Sequence, residues 1–140
     1  MRAYLDASVL VAMLTHDPFN ERAEELLRRK MPIPIVSDFA AAEFASALGR
    51  RVRAGELQID HARTALSNLD ALVARSAERV ETTGADVAIA AAFLRRLDLT
   101  LRTPDALHIA IAQRVDADLA TFDVRMADAA RMLGSGIVDA

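Results

Sequence analysis

Four acids among the 140 residues stand out by what surrounds them. Asp6 follows Tyr4-Leu5 and precedes Ala7, Ser8, Val9 and Leu10, and Asp123 repeats that layout after Leu119-Ala120-Thr121-Phe122. Asp105 follows Thr103-Pro104 and opens a run from Ala106 to Ala112 broken only by His108. Glu43 lies within Phe39 to Leu48, with Phe39, Ala40 and Ala47 as its neighbours on one helix face. Carboxylates gathered at one place are hard oxygen donors suited to Mg²⁺ or Mn²⁺. Such ions activate water and neutralise charge on a phosphate under attack. The expected chemistry is metal-dependent phosphodiester cleavage, with Asp6, Glu43, Asp105 and Asp123 as both metal ligands and catalytic residues.

Taken singly, three of these acids have simpler roles. Asp6 and Asp123 suit helix N-caps, and Asp105 suits the first turn of a helix, where its charge favours the macrodipole. Glu43 has no capping role available in mid-helix. A carboxylate on an apolar stripe is costly unless something compensates it, and a metal would do so. Ser8 is expected to cap the first helix and to hold Asp6 or a water on the metal, with Thr121 as the matching hydroxyl partner near Asp123. Asp128 reads as part of a solvated helix face. His16 and His61 read as surface or loop residues, and His108 as a hydrogen-bonded core histidine rather than a base.

These residues need a frame that brings them together. Ala3 to Leu5 predicts a short strand and Ser8 to Leu14 a helix; Asp17-Pro18 makes a turn, and Asn20 caps a second helix. Ile33 to Val36 predicts a strand in which Pro34 marks irregularity or an edge. Ser37 caps a long helix to Arg53, closed by Gly55, and Asp60 caps another. Arg79 to Thr82 predicts a strand and Ala85 to Leu97 a helix. Thr103 as cap with Pro104 behind it starts a helix to Val115. Leu119 to Thr121 is a strand, Val124 to Leu133 a helix, and Ile137-Val138 a last strand. The alternation implies an α/β/α sandwich with a mainly parallel sheet, whose ligands sit beyond the carboxyl ends of the strands. Asp6, Ser37 and Asp123 fall at such ends.

Composition narrows the classes further. The length suits one domain, residues 1 to 140, and an apolar fraction of 53% supports a compact core. Without cysteine there is neither disulfide nor thiolate metal site, which suits a cytoplasmic protein. No apolar stretch is long enough for a membrane span, and Asp6 interrupts the one that could be a leader. A net charge of −3 excludes gripping nucleic acid by bulk electrostatics, although sixteen of the 17 Lys and Arg residues are Arg, the better fork for phosphate. The five Phe and one Tyr offer few stacking platforms for bases. The lone Lys30 leaves no catalytic lysine for a haloacid-dehalogenase-type phosphatase or a receiver domain, and the five glycines form no nucleotide-binding turn.

The segments Tyr4 to Ser8, Ser37 to Leu48, Arg102 to Ala110 and Thr121 to Asp123, with the Gly134 ending, together resemble PIN-domain ribonucleases, particularly VapC-type toxins. The resemblance implies Mg²⁺ or Mn²⁺ held by Asp6, Glu43, Asp105 and Asp123, and endonuclease action on single-stranded RNA. It also implies a homodimer silenced by a cognate antitoxin. The alternative is a non-catalytic PIN-like module that binds RNA or protein only.

Overall fold

The computed structural model describes residues 1–138. Its four strands, β1 (Arg2–Leu5), β2 (Ile33–Ser37), β3 (Glu78–Val80) and β4 (Asp118–Ala120), form one parallel sheet in the order β3-β2-β1-β4. Helices α1 (Ala7–Leu14) and α2 (Asn20–Lys30) join β1 to β2, and α3 (Asp38–Arg53) and α4 (Ile59–Arg75) join β2 to β3. The chain then returns through α5 (Gly84–Leu94) and α6 (Thr103–Arg114) to β4, and α7 (Val124–Met132) follows.

Successive strand residues face opposite sides of the sheet, and this sorts the core into two layers. Ala3, Leu5, Val36 and Ala120 point to the side of Val9, Leu26, Phe44, Leu48 and Leu69. Tyr4, Ile35 and Leu119 point to the side of Ala90, Ile109, Ile111 and Met126. Every residue of α6 from Asp105 to Ala112 is buried, so this helix is central. The expected sandwich is the observed one.

Several local expectations are corrected. Asp6, not Ser8, caps α1, because its carboxylate reaches the Val9 amide at 3.1 Å. Asn20 does not cap α2; its side-chain amide turns back to Ala12 O at 2.8 Å. Gln58 precedes α4, so Asp60 sits in the first turn, and Arg102 rather than Thr103 takes the position before α6. Helix α5 stops at Leu94, short of Leu97, whose φ of 66° is left-handed. Strand β3 starts earlier than expected, and Thr121 lies one residue beyond β4. Strand β2 is interior, and Pro34 is tolerated because pairing with β3 begins only at Ile35↔Glu78. The last strand reduces to a single bridge, Leu119↔Ile137.

Two predictions held at the helix ends. Ser37 caps α3 through Ala40 N at 2.9 Å. Gly55, at φ 75°, lets Glu56 N reach Arg51 O and its own N–H reach Val52 O, a closed C-terminal turn.

The return helices are joined by an ion pair between a buried acid and an exposed arginine. Asp86 is fully buried, and Arg114 donates to its two oxygens at 2.7 and 3.0 Å. Burial works to raise the Asp86 carboxyl, but the guanidinium and the Thr83 bonds prevail and hold it below the usual range. Arg114→Ala should therefore cost about 1–3 kcal/mol in urea unfolding, because it leaves the buried Asp86 carboxylate short of its partner while water at the exposed arginine position makes up part of the loss. A loss of about 0.5 kcal/mol, the size of a surface substitution, would show the pair to be idle.

Candidate active site

The strand order fixes where a site can form. Strands run outward from β1 to β3, and the chain then crosses back to place β4 on the other side of β1. Loops diverge at such a switch point and leave a crevice beyond the strand ends. Asp6 follows β1 and Thr121-Phe122-Asp123 follow β4, both at that crevice. A cleft of about 540 Å³ opens there, lined by Asp6, Glu43, Asp105 and Asp123 among others.

Asp6 is 2% exposed, and its partners are neutral. Ser8 Oγ donates to Oδ1 at 2.6 Å, Val9 N to the same oxygen, and Thr121 Oγ1 to Oδ2. Burial pushes this carboxyl up despite those three donors and the nearby His108. The two hydroxyls also accept backbone amides, Ser8 from Phe122 N at 3.1 Å and Thr121 from Asp123 N at 3.0 Å. The supporting role expected of Ser8 and Thr121 thus takes a definite form: they tie the loop after β4 to the acid after β1.

Asp123 caps α7, accepting from Arg125 N and Met126 N at 3.0 and 3.1 Å. Asp105 is 7% exposed and accepts from Arg102 N at 3.0 Å, with Arg102 Nε at 3.6 Å. Both acids therefore do the helix-start work their positions suggest and border the cleft as well. Asp128 is exposed and pairs with Arg131, and His16 and His61 are exposed, as expected.

Glu43 departs from its expected setting. Its side chain is 30% exposed, so it stands at the edge of the apolar stripe, and His108 Nε2 hydrogen-bonds to it. The compensation assigned to a metal is supplied in part by this imidazole. His108 is buried as expected, but sequence gave no sign that it pairs with a residue 65 positions away. Its Nδ1 lies 2.7 Å from Tyr4 Oη, which lies 2.7 Å from Ser37 Oγ. Phe19, Phe122, Arg50 and Arg102 also line the cleft and were not singled out.

The family model of the PIN domain matches residues 3–132. The chain belongs to the PIN domain family. Ribonuclease VapC46 of Mycobacterium tuberculosis is 36% identical over 138 residues, 96% of this chain and 95% of the relative. Among solved PIN-fold relatives, VapC20 of Mycobacterium tuberculosis, described as a sarcin-ricin loop cleaving toxin, superposes with a TM-score of 0.74 at 20% identity. That match covers 91% of this chain and 94% of VapC20. VapBC2 of Rickettsia felis, bound to a fragment of promoter DNA, gives a TM-score of 0.65 at 18% identity over 91% and 92% of the two chains.

A divalent ion fits this PIN site on the chemistry of its donors. All four cleft acids offer hard oxygen, and Asp6 carries a charge that its surroundings penalise. Among the described residues no three His, Cys, Asp or Glu side chains already converge on one point. An ion of this kind takes one or two carboxylates directly and keeps several waters.

The raised Asp6 carboxyl has a consequence for the metal-free protein. The folded state holds this proton more tightly than the unfolded chain, so stability falls as pH rises from the ordinary carboxylate range through the raised value. Asp6→Asn removes that penalty while keeping the shape. At neutral pH without metal the variant should melt higher, on the order of a few °C, and the gap should close in acid. An equal or lower melting temperature at neutral pH would show that the cleft already balances the charge.

Proposed function

We propose that the protein is a Mg²⁺- or Mn²⁺-dependent endoribonuclease acting as the toxin of a toxin–antitoxin pair. The observation that carries this is Asp6, a buried carboxylate without a basic hydrogen-bonding partner, facing a cleft bordered by Glu43, Asp105 and Asp123. A relative 36% identical over nearly the whole chain, named a ribonuclease, supports RNA as the substrate.

Asp6, Glu43, Asp105 and Asp123 would hold the metal, which when bound supplies Lewis acidity toward water and the scissile phosphate. Ser8 and Thr121 fix the Asp6 oxygens, and His108 fixes Glu43. Both helix-capping acids are held by backbone amides, so the donors are set before substrate arrives. Arg50 and Arg102, which line the same cleft, are placed to receive RNA phosphates. No histidine or lysine is needed as a base.

An antitoxin partner is supported by the likeness to VapBC2, and a cytoplasmic location fits the proposed action on RNA beside such a partner. Among the described residues no helix is long and apolar enough to cross a membrane. The proposed homodimer is supported by α5, whose exposed side is a strip of alanines with Val87 and Ile89, 54% and 40% exposed, at its two margins. Val87→Asp should shift the protein from dimer to monomer in light scattering after size exclusion. A variant that stays dimeric would place the interface elsewhere.

Cleavage of RNA should require Mg²⁺ or Mn²⁺, stop with EDTA, and vanish in Asp6→Ala. Glu43→Gln should also lose cleavage while melting no lower than wild type. Persistent cleavage by Asp6→Ala would refute the site. Wild-type protein that binds RNA but cleaves none under any metal would favour the non-catalytic binding module.

A further inference from the structure

The rim of the cleft carries a group that the acids do not account for. Phe122, between β4 and α7, packs against the core that contains Phe44 and Leu48. Phe19, in the loop after α1, stacks on it with ring centroids 5.1 Å apart and planes 9° apart. Phe19 is 39% exposed, and both rings line the same cleft as the four acids. Arg22 places its guanidinium carbon 5.2 Å from the Phe19 centroid and 5.0 Å from that of Phe122.

The other phenylalanines behave differently: Phe44 is fully buried, and Phe39 and Phe93 pack against the second core. An aromatic ring stacked outward from a core, at the mouth of a polar cleft, leaves apolar surface in water. The stack is also held in register with the site. Ser8 Oγ accepts Phe122 N and donates to Asp6, so this ring is two hydrogen bonds from the central acid. On the other side Asp17 Oδ1 accepts Phe19 N at 2.9 Å, and the Asn20 amide bonds Ala12 O at 2.8 Å, fixing the loop.

We infer that Phe19 and Phe122, with Arg22, form a subsite that stacks one unpaired nucleobase beside the scissile phosphate. A flat ring in open water, backed by a second ring and a guanidinium, offers a π-face and a cation to a base of any identity. The subsite excludes paired strands, since a base inside a duplex has no free face. It rests on the ribonuclease reading and explains how an acidic protein takes hold of a single strand.

Two probes separate the base from the backbone: a fluorescein-labelled single-stranded 12-mer RNA of mixed sequence, and the same 12-mer made abasic throughout. Anisotropy is read in Ca²⁺, with Mg²⁺ cleavage of the first probe and of bulk cellular RNA measured in parallel. Wild-type protein should bind the strand with bases more tightly. Phe19→Leu keeps apolar contact with Phe122 but removes the ring, and should weaken that strand roughly 10-fold. It should leave the abasic strand unchanged, with the melting temperature preserved. Equal affinity of wild type for the two strands, no binding of either, or an equal loss on both in Phe19→Leu would overturn the subsite. Cleavage by wild type alongside any of those results sinks the subsite alone. A base-dependent loss without cleavage by wild type upholds the subsite and sinks the nuclease reading.

Discussion

The site depends on one buried charge and on what has been arranged to hold it. Asp6 sits at 2% exposure where β1 ends, bound by two hydroxyls and an amide. A buried carboxylate that accepts only neutral donors remains costly, and burial duly raises its proton affinity. Asp86 shows the other solution in the same molecule: equally buried, it is matched by a guanidinium and pushed the opposite way. One carboxylate is satisfied internally and joins two helices. The other is left short of positive charge, and the cleft is open beside it.

The donors that restrain Asp6 also build the walls around it. Ser8 and Thr121 each give a hydrogen to the carboxylate and take one from the β4–α7 loop. The loops at the switch point are thus lashed to one acid, and a shift of that acid would move Phe122 and Asp123 with it. A second chain of polar groups braces the opposite wall. Burial raises the Tyr4 hydroxyl well above its ordinary range, so it stays protonated. With Glu43 as a carboxylate, His108 Nε2 must carry the hydrogen between them, because a carboxylate only accepts. At Nδ1 the same ring shares a hydrogen bond with the Tyr4 hydroxyl, which shares another with Ser37 Oγ, and that oxygen accepts from Ala40 N. That chain ties Glu43 at the edge of the cleft to residues of α6, β1 and β2.

What the sequence showed and what it withheld follow from the range of each interaction. Alternating burial and helical periodicity are local, so the sandwich, the central α6 and the placement of three acids at helix starts could all be read. Caps were read unevenly for a physical reason. Ser37 caps because the chain turns immediately after it, whereas at Ser8 the helix had already begun and Asp6 reached its amide first. Asn20, Asp60 and Thr103 have capping side chains, yet the turn came before them. The partners of Glu43 lay beyond reach, since nothing in a helix near residue 43 announces a histidine on a helix that begins at residue 103. Phe19 and Phe122 were likewise two unremarked aromatics until the crossover of β4 brought their loops together.

These features bear on how a chain of net charge −3 can act on a polyanion. Counterion release from a broad basic surface is not available to it, so affinity must be gathered locally. On the proposed reading three elements share that task. A cation neutralises acids that would otherwise repel the phosphate, Arg50 and Arg102 line the same cleft, and the aromatic stack adds attraction that carries no charge. Only the last discriminates a flexible single strand from a duplex, because only it needs a base with a free face. Metal dependence and strand selectivity then have separate origins: the first lies in the unpaid charge of Asp6, the second in two phenyl rings that the same hydrogen bonds hold beside it.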